Sequence, residues 1–261
     1  MVSFVVNLPS IAEPMFRIIS KSFQYISNKL WYASDWLKFR SLQRSGNDDR
    51  FPLEFINRMP AIWEKTKQTR FDAHYVYHNA WAMRAVRKID PIVHIDISST
   101  VYFCSSLSAF IPVRFFDYRP APLALSQLTT DSCDLQLLHF ADGSIDSLSC
   151  MHTIEHVGLG RYGDSLDPSG DLKAFSELKR VVAPGGSLLI VVPIGRPRLC
   201  FNAHRIYSYD MLLGTFDGFE LVNTALITDD GDFLTTPIHE DFGRQEYGCG
   251  CFWFRKFNLG E

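Results

Sequence analysis

Between residues 170 and 192, an amphipathic helical stretch, a Pro-Gly-Gly turn and an apolar run follow one another directly. Leu172, Phe175, Leu178, Val181 and Val182 recur at spacings of three and four, so they share one face of a helix over about 170–183. Pro184 cannot continue that helix, and Gly185-Gly186 supply a turn. Residues 187–192 (SLLIVV) then read as a strand with both faces buried, which calls for a sheet covered by helices on each side. Three short apolar runs precede it, at residues 92–97, 113–117 and 145–151. Segments 219–227 and 250–257 read as two closing strands, expected to pair antiparallel. The pattern predicts an α/β fold with a mostly parallel sheet, whose ligand site lies beyond the carboxyl ends of the strands.

The first part of the chain has a different character. Residues 1–90 carry 14 Lys+Arg against 8 Asp+Glu, while 91–261 carry 12 against 21. A helix is expected over 11–44, where Met15, Ile18, Ile19, Phe23, Ile26, Leu30, Trp31 and Leu37 recur between Lys21, Lys29, Lys38, Arg40 and Arg44. A turn is expected at 45–49, with further helices near 52–69 and 72–88. We divide the chain into an N-terminal helical extension or cap (1–70) and a main domain (71–261). The helical stripe has three readings: a lid over the site, a homodimer or partner surface, or a peripheral contact with an anionic membrane.

Composition narrows the partners and the compartment. The formal net charge is -3, and no basic patch interleaved with aromatics surrounds the expected site, so no nucleic-acid partner is expected. The six cysteines form no CxxC, which fits a reducing cytoplasm and gives no zinc knuckle. The opening MVSFVVNLPS lacks a basic n-region and a long apolar core, so no signal peptide is expected. No run of about 18 apolar residues is present to span a bilayer. Localisation is therefore expected to be cytoplasmic, with the membrane-peripheral alternative kept open.

Chemistry concentrates at the strand ends. Asp96 ends the first strand and is followed by Ser98, Ser99 and Thr100. Asp117 ends the second strand and is placed to accept hydrogen bonds from ribose hydroxyls. The loop 158–171 carries Gly158, Gly160 and Gly163 with Arg161, Tyr162 and Asp164, which suits a substrate loop.

From residue 134 onward the chain resembles the class I S-adenosylmethionine-dependent methyltransferases. The resemblance rests on Leu138-His139-Phe140, on Asp142-Gly143-Ser144-Ile145-Asp146 entering the third apolar run, on Met151-His152-Thr153-Ile154-Glu155-His156-Val157, and above all on Glu177 to Gly186 ending in Pro-Gly-Gly. A narrower similarity covers most of residues 70–215, through Ile154 to Asp164, Pro193-Ile194-Gly195 and Phe201 to Arg205. It is to a little-characterised methyltransferase-like branch of unknown function, whose bacterial members are often linked to surface-glycan pathways. The resemblance implies a Rossmann-like class I methyltransferase fold, a seven-stranded mostly parallel sheet with helices on both faces. It implies S-adenosyl-L-methionine as cofactor, and methyl transfer to an oxygen, less readily a nitrogen, of a small-molecule or glycan-type acceptor. One departure stands out: the family's first loop reads Asp-x-Gly-x-Gly, and serines and a threonine stand in its place here. Ser98 is expected to donate to the cofactor from its backbone or hydroxyl.

Carried over by position, Asp96, Ser98 and Ser99 would face the methionine end of the cofactor. Asp117 would hold the ribose, and Asp134 or the Leu135 N–H would read the adenine. Met151 and His152 would line the sulfonium, with Tyr75 or Tyr102 contributing cation–π attraction. An alcohol acceptor must lose a proton, so His152, His156 and His204 are candidate bases, with Glu155 orienting a ring. Arg161, Tyr162, Asp164, Asn202 and Arg205 are the candidate acceptor-binding residues. His74 and His78 lie one turn apart, but no third ligand is evident, so no metal is expected. A non-catalytic methyltransferase-like scaffold is the alternative reading. A nicotinamide dehydrogenase is disfavoured, because no Gly-x-Gly-x-x-Gly follows the first strand.

Overall fold

The computed structural model describes residues 12–46 and 50–258, with side chains of the first helix from Ile19 onward. The opening decapeptide, the side chains of Met15 and Ile18, and residues 47–49 of the expected turn lie outside the described residues. The chain forms two compact units, residues 1–70 and 71–261.

In the first unit, α1 runs Ala12–Ser45. The stretch expected to be a second helix, 52–69, contains only a single 3-10 turn at Phe55–Asn57. Pro52 and Pro60 each remove a backbone donor and push the residue before them toward extended backbone, which breaks a helix at both ends. The rest of the segment is tied by its side chains. Trp63 stacks on Tyr25 with ring centres 6.3 Å apart, and Lys65 pairs with Asp35 at 2.9 Å. Among the described residues, no helix is long and apolar enough to cross a membrane.

The second unit runs, in chain order, α2 (Ala73–Ile89), β1 (His94–Ile97), α3 (Val101–Leu107), β2 (Val113–Asp117), β3 (Leu128–Ser132), β4 (Ile145–Met151), α4 (Gly170–Val181), β5 (Val182–Ile194), β6 (Arg198–Cys200), β7 (His204–Ile206), α5 (Tyr209–Leu213), β8 (Phe219–Ile227), β9 (Phe233–Leu234), α6 (His239–Gly243) and β10 (Gly248–Lys256). The main sheet has the order β3-β2-β1-β4-β5-β10-β8-β9. The first five strands are parallel, and β10 inserts antiparallel between β5 and β8. Seven strands make the expected sheet, and the two-residue β9 extends its edge. Apolar clusters fill both faces. One is built on Leu148, Leu178, Ile190 and Phe252, the other on Trp81, Phe103, Phe115 and Val191. Successive β5 residues therefore serve opposite cores, and that is why the run reads as continuously apolar.

Two details differ from the sequence expectation. The third strand in chain order lies at 128–132, where the sequence shows no apolar run. It is an edge strand with one buried residue, so it carries no apolar signal. Pairing of β5 with β4 begins at Val182, before the glycines. The register jumps from Ile145↔Val182 to Ser147↔Ser187, so Pro184-Gly185-Gly186 bulge out of a strand that has already begun. A side chain at Gly186 would put its Cβ 2.8 Å from Ala183 O and 3.0 Å from Ile145 O. The Glu177–Arg180 segment has a structural task as well. Arg180 donates to the carbonyls of Leu138 and Phe140 and to the Asp142 and Glu177 carboxylates, while Glu177 accepts from Leu138 N. Helix α4 thereby clamps the loop that follows β3.

Candidate active site

Two cavities meet at the carboxyl ends of β1, β2, β4 and β5. The first is walled by Ser98, Asp117, Cys133, Asp134, Leu135, Gln136 and Thr153. The second is walled by His74, Tyr75, Glu155, Arg161, Asn202, His204 and Tyr247. His152, His156 and Tyr162 line both.

The chain reverses sharply at two strand ends. Ser98, after β1, and His152, after β4, both hold left-handed backbone, with φ of 58° and 55°. Ser98 thus adopts the conformation for which glycine is favoured in the related motif. Its N–H is engaged by Phe116 O at 2.7 Å, so the expected backbone donation into the cavity does not occur there. Ser99 and Asp96 lie beneath the cavity rather than in its wall. Ser99 N donates to Asp96 Oδ1 at 3.0 Å, and Ser99 Oγ accepts from Met151 N. Asp96 is fully enclosed and accepts from the Ser149 hydroxyl. That hydroxyl accepts in turn from His94 Nε2 at 2.8 Å, and His94 Nδ1 accepts from Ser147 Oγ. Burial raises the Asp96 pKa to about 6, against the lowering effect of these hydrogen bonds, and lowers that of His94 to about 3. Met151 is also buried and stays out of the wall.

Asp117 is half-buried in the wall and accepts from Arg119 N at 2.7 Å. A carboxylate has further acceptor sites to offer a ligand. Asp134 Oδ1 caps the next turn by accepting from Gln136 N. Cys133 carried no motif signal in sequence, and the fold places it in this wall beside Gln136 and Thr153.

The second cavity gathers the expected acid–base residues. His152 Nδ1 donates to Glu155 Oε1 at 3.0 Å, and its Nε2 lies 3.3 Å from Cys249 Sγ. Burial disfavours charge on this ring, but the Cys249 sulfur and the Glu155 carboxylate outweigh it and raise the pKa. His156 differs. Its Nδ1 donates to Ala203 O at 2.6 Å, desolvation lowers its pKa and favours the neutral ring, and Nε2 lies 3.8 Å from Glu155 Oε1. Desolvation lowers His204 too. Tyr75 belongs to this second cavity, its ring centre 5.5 Å from that of His152. Tyr102 is 78% exposed on α3 and lines neither cavity.

Of the expected acceptor residues, Arg161, Tyr162 and Asn202 line the second cavity. Tyr162 lies under both Arg119 and Arg161, at 4.8 and 5.2 Å. Asp164 is a loop staple, accepting from Gly158 N and Tyr162 N, although it also touches the first cavity. Arg205 faces away. It donates to Val157 O and Pro168 O and pairs with Asp171, so it anchors the base of the loop.

A family model described as a Caenorhabditis protein of unknown function, DUF268, matches residues 133–235. Among curated proteins, none matches the chain. The YcgJ protein of Bacillus subtilis is similar in structure, with a TM-score of 0.50 and 14% identity over 70% of this chain and 100% of that one. The fold is the Rossmann-like class I methyltransferase fold. The N-methyltransferase NodS of Bradyrhizobium japonicum, solved with S-adenosyl-L-homocysteine, aligns with a TM-score of 0.49 and 12% identity over 75% of this chain and 91% of that one.

The first cavity offers the half-buried Asp117 carboxylate on one side and an apolar wall of Cys133, Leu135 and Val157.

Proposed function

We propose that the protein is an S-adenosylmethionine-dependent methyltransferase acting on a hydroxyl of a small or glycan-type acceptor. The observation that carries this reading is the junction of an Asp117-walled cavity with a histidine-lined one through His152 and His156. When bound, the cofactor supplies an electrophilic methyl group on a sulfonium. Asp117 accepts hydrogen bonds from the ribose, and the Asp134–Gln136 turn meets the adenine. His156 Nε2 takes the acceptor proton, because its neutral state leaves that lone pair available. Glu155, 1% exposed, supplies negative charge beneath both rings. Arg161, Tyr162 and Asn202 hold the acceptor at the rim, and alignment and exclusion of water supply most of the rate.

Calorimetric titration with S-adenosylmethionine and S-adenosylhomocysteine tests this reading. Saturable binding of either supports it. No heat at millimolar ligand would sink it in favour of the scaffold alternative.

For the N-terminal unit we propose a contact role. Phe23, Ile26 and Leu30 are exposed on α1 beside Lys21 and Lys29. Sedimentation with anionic vesicles tests the membrane alternative, and analytical ultracentrifugation tests the homodimer.

A further inference from the structure

Three side chains from distant stretches converge beside the second cavity without a shared task in methyl transfer. His74 stands on the first turn of α2, His152 follows β4, and Cys249 is the second residue of β10. Each offers one nitrogen or sulfur atom, and these atoms all lie within 4.8 Å of one another. His152 Nε2 and Cys249 Sγ are 3.3 Å apart. Around a tetrahedral ion with bonds of roughly 2.0 Å to nitrogen and 2.3 Å to sulfur, neighbouring ligand atoms sit about 3.5 Å apart. The His152–Cys249 pair meets that spacing, and the His74 atom lies within 4.8 Å of both, its ring stacked on His152 with centres 5.9 Å apart.

The surroundings match a ligand set. Glu155 Oε1 accepts from His152 Nδ1, which holds the ring with Nε2 directed at the Cys249 sulfur. Carboxylates placed behind ligating imidazoles do this in metalloproteins. Two further buried atoms nearby have no partner: Glu155 Oε2 and His78 Nε2. His78 Nδ1 bonds to His74 O, and its ring centre is 5.1 Å from that of His152. This pocket therefore holds more buried polar atoms than its protein partners satisfy, which is unusual for an interior.

We propose that His74, His152 and Cys249 bind one borderline-soft divalent transition metal, zinc above all, with a fourth position open to the second cavity. Two imidazoles and a thiolate select zinc over magnesium or calcium, and three protein ligands with an open position are the arrangement of reactive zinc sites. Binding displaces the Cys249 thiol proton and the His152 Nε2 proton to solvent. In that position the ion polarises the acceptor hydroxyl. This last role rests on the methyl-transfer reading, whereas metal binding does not.

The test uses the full chain, stripped by chelator and titrated with Co²⁺ without cofactor. One Co²⁺ per chain is expected, with d–d bands of tetrahedral intensity and a sulfur-to-cobalt charge-transfer band, both displaced by Zn²⁺. Cys249→Ser should remove the charge-transfer band, and His74→Gln should weaken binding roughly tenfold or more. Circular dichroism checks the fold of each variant. No Co²⁺ uptake by folded wild type, or a spectrum unchanged in folded Cys249→Ser, overturns the proposal. If Cys249→Ser does not fold, His74→Gln decides, and unchanged affinity overturns it. A separate arm titrates S-adenosylhomocysteine. Metal uptake without S-adenosylhomocysteine binding leaves the site standing and defeats the methyl-transfer reading, and the reverse result does the opposite.

Discussion

Ser98 and His152 turn the chain in the same left-handed way at the ends of adjacent parallel strands, and the hydroxyl of Thr153 joins them by donating to Ser98 O at 2.7 Å. The bend that glycines provide in the related motif is held here by neighbouring structure. Ser98→Gly is therefore expected to change stability by less than about 1 kcal/mol and to leave S-adenosylhomocysteine affinity intact. Ser98→Val, which disfavours that φ, should cost about 1–3 kcal/mol. Urea unfolding with calorimetry on both variants checks this. Equal stability of the two would show that the bend carries no strain.

The acids ending β1 and β2 are expected to behave differently. Asp117→Ala removes a wall carboxylate that is half-exposed, so S-adenosylhomocysteine affinity should fall at least about tenfold, or roughly 1.4 kcal/mol, with little change in melting temperature. Asp96→Ala strands the Ser149 hydroxyl and Ser99 N–H in the interior, and should cost about 2 kcal/mol or more of stability. A variant pair with the two effects exchanged would contradict the placement of these residues.

Arg180→Met should destabilise the main unit by about 1–3 kcal/mol, because it releases the Leu138 and Phe140 carbonyls and leaves Glu177 without its partner. The same change should weaken cofactor binding, since the clamped loop leads back to the Asp134–Gln136 turn. Denaturant melts and ligand titrations on one protein preparation read both effects.

Acid should act through His94. Its folded pKa of about 3 lies below that of an unfolded histidine, so the unfolded chain binds the extra proton between these values. The stability contribution is complete above pH of about 6.5 and is lost as pH falls toward 3, at up to about 1.4 kcal/mol per pH unit. Asp96, raised to about 6, works in the opposite sense, because its protonation below that pH favours the native state. Comparison with His94→Gln isolates the histidine. Unfolding free energies measured from pH 7.5 to 5 should diverge as pH drops, and parallel curves would contradict the assignment.

β1, β2, β4, α4 and β5 were legible because each buried strand needs an apolar run and the helix an amphipathic face. Edge strand β3 was not, since a strand with one buried residue leaves no hydrophobic pattern. The failed helix at 52–69 shows local backbone chemistry outweighing apolar spacing, as Pro52 and Pro60 permit only the turn at Phe55–Asn57. Asp117 and His152 stand at strand ends, as their sequence positions suggest, and with His156 they line the cavities. Asp96 and Arg205 had the same kind of signal, yet they turn into the protein, where serine hydroxyls and loop carbonyls satisfy them. Sequence position specifies which strand end a residue occupies, but not whether its polar atoms face a cavity or a buried partner.

The amino-acid sequence by itself therefore determined the α/β class, the helix that ends before Pro184-Gly185-Gly186, and the strand ends at which chemistry gathers. These follow from backbone preference and apolar periodicity, which act over a few residues. Tertiary structure alone decided that His74, His152 and Cys249 meet, though 78 and 97 residues separate them along the chain. Their meeting depends on β10 inserting antiparallel beside β5 and on α2 packing across the sheet. It is set by long-range strand pairing and core packing, for which no short stretch of the chain carries a pattern.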